Sequence, residues 1–145
     1  MTASREQRQK RIYLDTSSYL CLLLAQEGWQ RIFALTEEAE ILSSVLIVLE
    51  SRRNLIRLAR QGSLAVAQYQ GCMERVEADT TRFALRDLTL DLCSSNRVPA
   101  VATPRSLDLV HLRTALWFHA SEPIDRFVTL DASQEAAAKE LGLPV

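Results

Sequence analysis

The stretch RIYLDTSSYLCLLL, residues 11–24, decides how this chain is read. Arg11 to Leu14 fits a short buried strand, and Thr16, Ser17 and Ser18 then offer hydroxyl caps for a helix through Leu20, Leu23 and Leu24. A strand that turns into a helix within a residue or two is the opening of a β–α unit. Asp15 stands at the junction.

The alternation continues outward from there. Gly28 closes the first helical region, and a helix through Trp29, Ile32, Phe33 and Leu35 leads to a second strand at Glu40-Ile41-Leu42-Ser43. Ser44 is placed to cap a helix with apolar positions Leu46, Leu49, Leu55, Ile56 and Leu58 and a basic face of Arg52, Arg53, Arg57 and Arg60. Gly62 stops it. Ser63 opens the next helix, through Leu64, Val66, Ala67, Tyr69, Cys72, Met73 and Val76. Thr81-Arg82-Phe83 is a short strand candidate, and Leu85 to Arg97 is expected to be helical. Thr103-Pro104 supplies a cap and a first-position proline for a helix carrying Leu107, Val110, Leu112, Ala115, Leu116 and Trp117. Arg126 to Leu130 is the last strand, followed by a helix over Ala132 to Leu141 that ends at Gly142 and Pro144. Strands alternating with helices predict an α/β domain whose mostly parallel sheet is covered on both faces.

A chain of 145 residues has room for one such domain, 1–145, with residues 1–10 as a polar, flexible tail. Apolar residues make up 48% and charged residues 24%, which excludes a disordered or fibrous protein. The amino terminus is too charged for a signal peptide, and the run Leu20 to Ala25 is too short to span a bilayer, so a cytoplasmic protein is expected. Cys21, Cys72 and Cys93 form neither a disulfide framework nor a CxxC clip and are expected to be buried thiols.

Four acids, Asp15, Glu50, Asp108 and Asp131, sit where the apolar patterns break or turn. Parallel sheets place their sites outside the carboxyl ends of their strands, and a few carboxylates gathered there suit a hard divalent cation that keeps some of its water. Setting these four aside leaves 17 basic residues against 14 acidic ones, +3 in place of the formal −1. Fifteen of the basic residues are arginine, whose planar fork suits phosphate. Asp15 and Asp131 also precede helices and could serve only as caps, and Glu50 and Asp108 could be solvated helix positions. His111 lies one turn from Asp108 and could touch a ligand or simply pack within the structure. His119, at the end of the same helix, is expected to meet the terminal carbonyls. Trp29, Phe33, Trp117 and Phe118 fit core or dimer packing.

Four segments, IYLDTSSYL, SSVLIVLE, RSLDLVHLRTAL and FVTLDASQEAAAKELGLPV, resemble in this order the signature blocks of PIN-domain ribonucleases, and especially the VapC-type toxins of bacterial toxin–antitoxin systems. The resemblance spans nearly the whole chain. It implies a three-layer α/β/α sandwich, RNA phosphodiester hydrolysis dependent on Mg2+ or Mn2+, a homodimer, and inhibition by a VapB-type antitoxin. It places metal-binding and catalytic roles on Asp15, Glu50, Asp108 and Asp131. It also places Thr16, Ser17 and Thr129 where the family carries hydroxyls beside the acids. Arg52, Arg53 and His111 are candidate substrate contacts. Arg113 departs from the pattern, standing where these helices often carry a small residue.

Two other readings remain open. A PIN-like scaffold could bind RNA or a protein without cleaving. A phosphatase using Asp15 as its nucleophile is disfavoured, because Ser17 stands where that chemistry wants a second aspartate and Lys10 and Lys139 are the only lysines.

Overall fold

In the computed structural model, residues 8–96, 101 and 105–145 are described. The elements run β1 (Arg11–Leu14), α1 (Thr16–Leu23), α2 (Trp29–Thr36), β2 (Glu40–Ser44), α3 (Leu46–Arg60), α4 (Val66–Arg82), β3 (Ala84–Arg86), α5 (Leu90–Ser94), α6 (Ser106–Ser121), β4 (Arg126–Val128) and α7 (Ala132–Glu140). All strand pairs are parallel, in the order β3-β2-β1-β4. Tyr13 pairs with Leu42 on one side and Phe127 on the other, which makes β1 central.

Strand alternation sends successive side chains of β1 into two cores. Ile12 and Leu14 join Tyr19, Cys21, Ile32, Ile47, Leu55 and Val76 on the face covered by α1 to α4. Tyr13 joins Leu112, Ala115, Phe118, Phe127, Ala137 and Ala138 on the face covered by α6 and α7. The chain is therefore a three-layer α/β/α sandwich. No helix among the described residues is long and apolar enough to cross a membrane.

The path along the sheet locates a crevice. From β1 the chain moves outward to β2 and β3, then returns to lay β4 on the opposite side of β1. The strand order reverses between β1 and β4, and at such a switch point the connections leave on opposite faces and open a cleft at the carboxyl ends. Asp15 follows β1 directly and Asp131 lies just past β4.

Helix ends follow local chemistry. After α3 and α7 the glycines Gly62 and Gly142 adopt φ of +74° and +80°. Each is followed by a residue whose N–H reaches back to the final turn, Ser63 to the Leu58 carbonyl at 2.9 Å and Leu143 to that of Ala138 at 3.0 Å.

Several boundaries differ from the sequence expectation. Thr81 and Arg82 belong to α4, because the Thr80 and Thr81 hydroxyls bond the carbonyls of Val76 and Glu77 at 2.6 and 2.7 Å and are accommodated within the helix. The strand comes later, where Ala84 to Arg86 pair with Leu42 to Ser44. That pairing, which completes β2 on its outer side, prevails over the helical pattern expected from Leu85 to Arg97, of which only Leu90–Ser94 is helical. Arg97 and the Thr103-Pro104 cap lie outside the described residues. The helix expected to open at Ser63 begins at Val66, and β4 ends at Val128 rather than Leu130. Ser44 does not cap α3 directly, although its Oγ accepts the Leu46 N–H at 3.1 Å.

On α3, Leu49 and Ile56 face solvent rather than the core. Trp117 and Phe33 are also half exposed rather than core residues, and the Arg86 guanidinium lies 4.6 Å from the Trp117 ring. Only Cys21 of the three cysteines is buried, and Cys93 is exposed. Of the expected tail, residues 1–7 lie outside the described residues and Arg8 pairs with Glu122 and Asp125, while Arg11 is a buried β1 residue paired with Glu40. Arg113, the departure from the family pattern, donates to the carbonyls of Leu92 and Ser95 and ties α5 to α6. His119 accepts the Ile124 N–H at 3.0 Å through Nδ1.

Candidate active site

Asp15 is only 5% exposed and both of its oxygens are engaged. Oδ1 caps α1 by accepting the Ser18 N–H at 3.0 Å, and it also accepts the hydroxyls of Ser17 at 2.7 Å and Ser18 at 3.2 Å. Oδ2 accepts the Thr129 hydroxyl. A buried carboxylate needs such donors in place of water, and hydroxyls and the helix terminus provide them. Asp15 is thus a helix cap and a residue of the crevice at once.

Thr129 carries the web to the next strand end. Its Oγ accepts the Asp131 N–H at 3.1 Å, and the Ser17 Oγ accepts the Leu130 N–H at 3.0 Å. Asp131, at the start of α7, is exposed; its Oδ1 accepts the N–H groups of Ser133 at 2.8 Å and Gln134 at 3.1 Å. Asp108 lies half-buried in the first turn of α6, and the buried Gln134 holds its carbonyl from α7 through Nε2 at 2.9 Å.

Asp108 senses the charges of Asp131 and Asp15. Burial raises the Asp108 pKa above its ordinary value, and the Asp131 and Asp15 charges add to the rise against the opposing pull of Arg105 and His111. Glu50, on α3, belongs to a different subset. Its Oε1 accepts the Thr16 hydroxyl at 2.8 Å and lies 3.0 Å from His111 Nε2. Burial works to raise the Glu50 pKa, but His111, Thr16 and the exposed Arg53 together hold it below the usual range. Behind this pair, the Tyr13 hydroxyl meets His111 Nδ1 at 2.8 Å.

The four acids are therefore not one tight cluster. Among the described residues, no three His, Cys, Asp or Glu side chains lie close enough to hold an ion between them. Hydroxyls bridge the parts, Thr129 between Asp15 and the Asp131 backbone, and Thr16 between α1 and Glu50. His111 is 2% exposed, and its ring nitrogens meet Tyr13, Thr16 and Glu50. Arg53 stands exposed one turn beyond Glu50, whereas Arg52 is half-buried with Nε unpartnered among the described residues.

Sequence reasoning passed over Tyr13, Gln134 and Arg105. Tyr13 was hidden in an apolar strand, where its hydroxyl was the signal, since a buried phenol needs a partner. Gln134 shares the buried face of α7 with Ala137 and Ala138, a helical spacing that marks it as an inward polar residue. Neither a known family model nor a curated protein matches this sequence.

Proposed function

We propose that this chain is a Mg2+- or Mn2+-dependent endoribonuclease of the PIN-like kind, the toxin of a toxin–antitoxin pair silenced by a VapB-type partner. The observation that carries the reading is that Asp15 and Asp131 lie past the carboxyl ends of β1 and β4, where the order of a parallel sheet reverses, and are joined there through Thr129. Burial and the charges of Asp131 and Asp15 also raise the Asp108 pKa. Such repulsion favours a cation.

The donor chemistry is that of hard-ion ligands, carboxylate oxygens that are half-buried in Asp108 and exposed in Asp131. When bound, Mg2+ or Mn2+ supplies water activation and neutralises charge at a phosphoryl group. The chain's own residues do the positioning. Ser17, Ser18 and Thr129 fix Asp15, and Gln134 fixes the backbone at Asp108. Arg53 and Arg105, whose charges act on Glu50 and Asp108, flank the acids with cations suited to a polyanionic strand.

One observation favours the non-cleaving scaffold instead, namely the spacing of the acids. Cleavage of total RNA by purified, partner-free protein separates the two. With Mg2+ or Mn2+, discrete fragments bearing 5′-phosphate and 3′-hydroxyl ends are expected, absent with EDTA and with Asp15→Asn. A natively folded protein that binds Mn2+ and yields no such fragments would replace the nuclease by the scaffold.

A further inference from the structure

We infer that His111 is the positioning residue of Glu50, a buried imidazole that fixes one carboxylate oxygen so that the other remains for the site. This rests on reading the acids as a metal-dependent hydrolytic centre.

Glu50 reaches the crevice on a side chain with three rotatable bonds, and left to itself it would sample many rotamers. Two donors restrict it, both on Oε1: the Thr16 hydroxyl at 2.8 Å and His111 Nε2 at 3.0 Å. An ionised carboxylate only accepts, so Nε2 carries the proton. On the other side of the ring Nδ1 meets the Tyr13 hydroxyl at 2.8 Å. Tyr13 is wholly buried, where a phenol hydroxyl needs such a partner.

The imidazole is held in orientation by partners on both ring nitrogens. Turning the ring over would set C–H groups against Tyr13 and Glu50 and lose both hydrogen bonds in a site that is 2% exposed. Three elements converge on Glu50 of α3 through this contact: Tyr13 from β1, Thr16 from α1 and His111 from α6. The imidazole between two partners parallels the outer-shell bonds that orient metal-binding side chains, whose loss costs about 10–100-fold in metal affinity or activity.

Three variants and two readouts test this. Nitrogen-15 spectra of the metal-free protein above neutral pH should show the Nε2–H tautomer for His111. His111→Ala should weaken Mn2+ binding by calorimetry roughly 10-fold or more and lower kcat with little change in KM for RNA. His111→Gln, whose amide nitrogen reaches the place of Nε2, should recover most of both, and Tyr13→Phe should fall between. An Nδ1–H tautomer, undiminished Mn2+ binding by His111→Ala, or equal losses in the Gln and Ala variants that follow their unfolding midpoints would each overturn the inference. If His111→Ala does not fold, the Gln and Phe variants decide it. Mn2+ binding that depends on His111, in a wild-type protein that cuts no RNA, would support the positioning role and reject the ribonuclease.

Discussion

The Thr129 hydroxyl donates to Asp15 Oδ2 and so binds the end of β4 to the end of β1, the two strands between which the sheet order reverses. The Thr129 Oγ in turn accepts the Asp131 N–H. Thr129→Val keeps the shape and removes both bonds, leaving a buried carboxylate oxygen without its donor. Unfolding in urea should show a loss of about 1–3 kcal/mol, and RNA cleavage should fall in parallel. Thr129→Ser should retain most of both, and equal losses in Val and Ser would mean that the methyl group matters rather than the hydroxyl.

Asp108 makes the opposite contribution to stability. Its pKa is raised in the folded state by burial and by Asp131 and Asp15, so the fold binds its proton more tightly than the unfolded chain does. The ionised side chain therefore burdens the metal-free fold at neutral pH. That burden fades as pH falls through the folded pKa and is gone below the unfolded value. Asp108→Asn should consequently stabilise the metal-free protein at pH 7 by about 0.5 kcal/mol, given solvent screening, and by nothing at low pH, while abolishing cleavage. Chemical denaturation across pH 3–7 would expose an error of sign.

The layered fold was legible because the apolar runs at Arg11–Leu14 and Glu40–Ser44 are bounded by strong helix starts, and Gly62 and Gly142 mark real stops. β3 was not, since three residues carry too little pattern to compete with the neighbouring helix until β2 supplies a partner. The same limit governs the site. Strand-end position singled out Asp15 and Asp131, but nothing local divides Glu50 from the other three acids. That division depends on β1 bringing Tyr13 under α6, a pairing created by the fold alone.

Arg53 offers a test of the polyanion. It is exposed and its charge helps to hold the Glu50 pKa down. Arg53→Gln should raise KM for RNA several-fold with a smaller change in kcat. If it contacts one phosphate of a single strand, the slope of log affinity against log salt should shrink by about 0.7. An unchanged salt slope would assign this arginine to Glu50 alone.

Gln134 separates stability from positioning. At 1% exposure it donates to the Asp108 carbonyl, while its Oε1 has no partner among the described residues. Gln134→Leu forfeits one neutral hydrogen bond, about 1 kcal/mol, and removes an unsatisfied buried acceptor whose cost is about 1–3 kcal/mol. The two nearly cancel, so the urea midpoint should move little. What is lost is the link from α7, which carries Asp131 at its start, to the first turn of α6, which carries Asp108. Mn2+ affinity should therefore fall several-fold at almost constant stability. A parallel fall in midpoint and affinity would show that Gln134 serves packing, and that the spacing of Asp108 and Asp131 is set elsewhere.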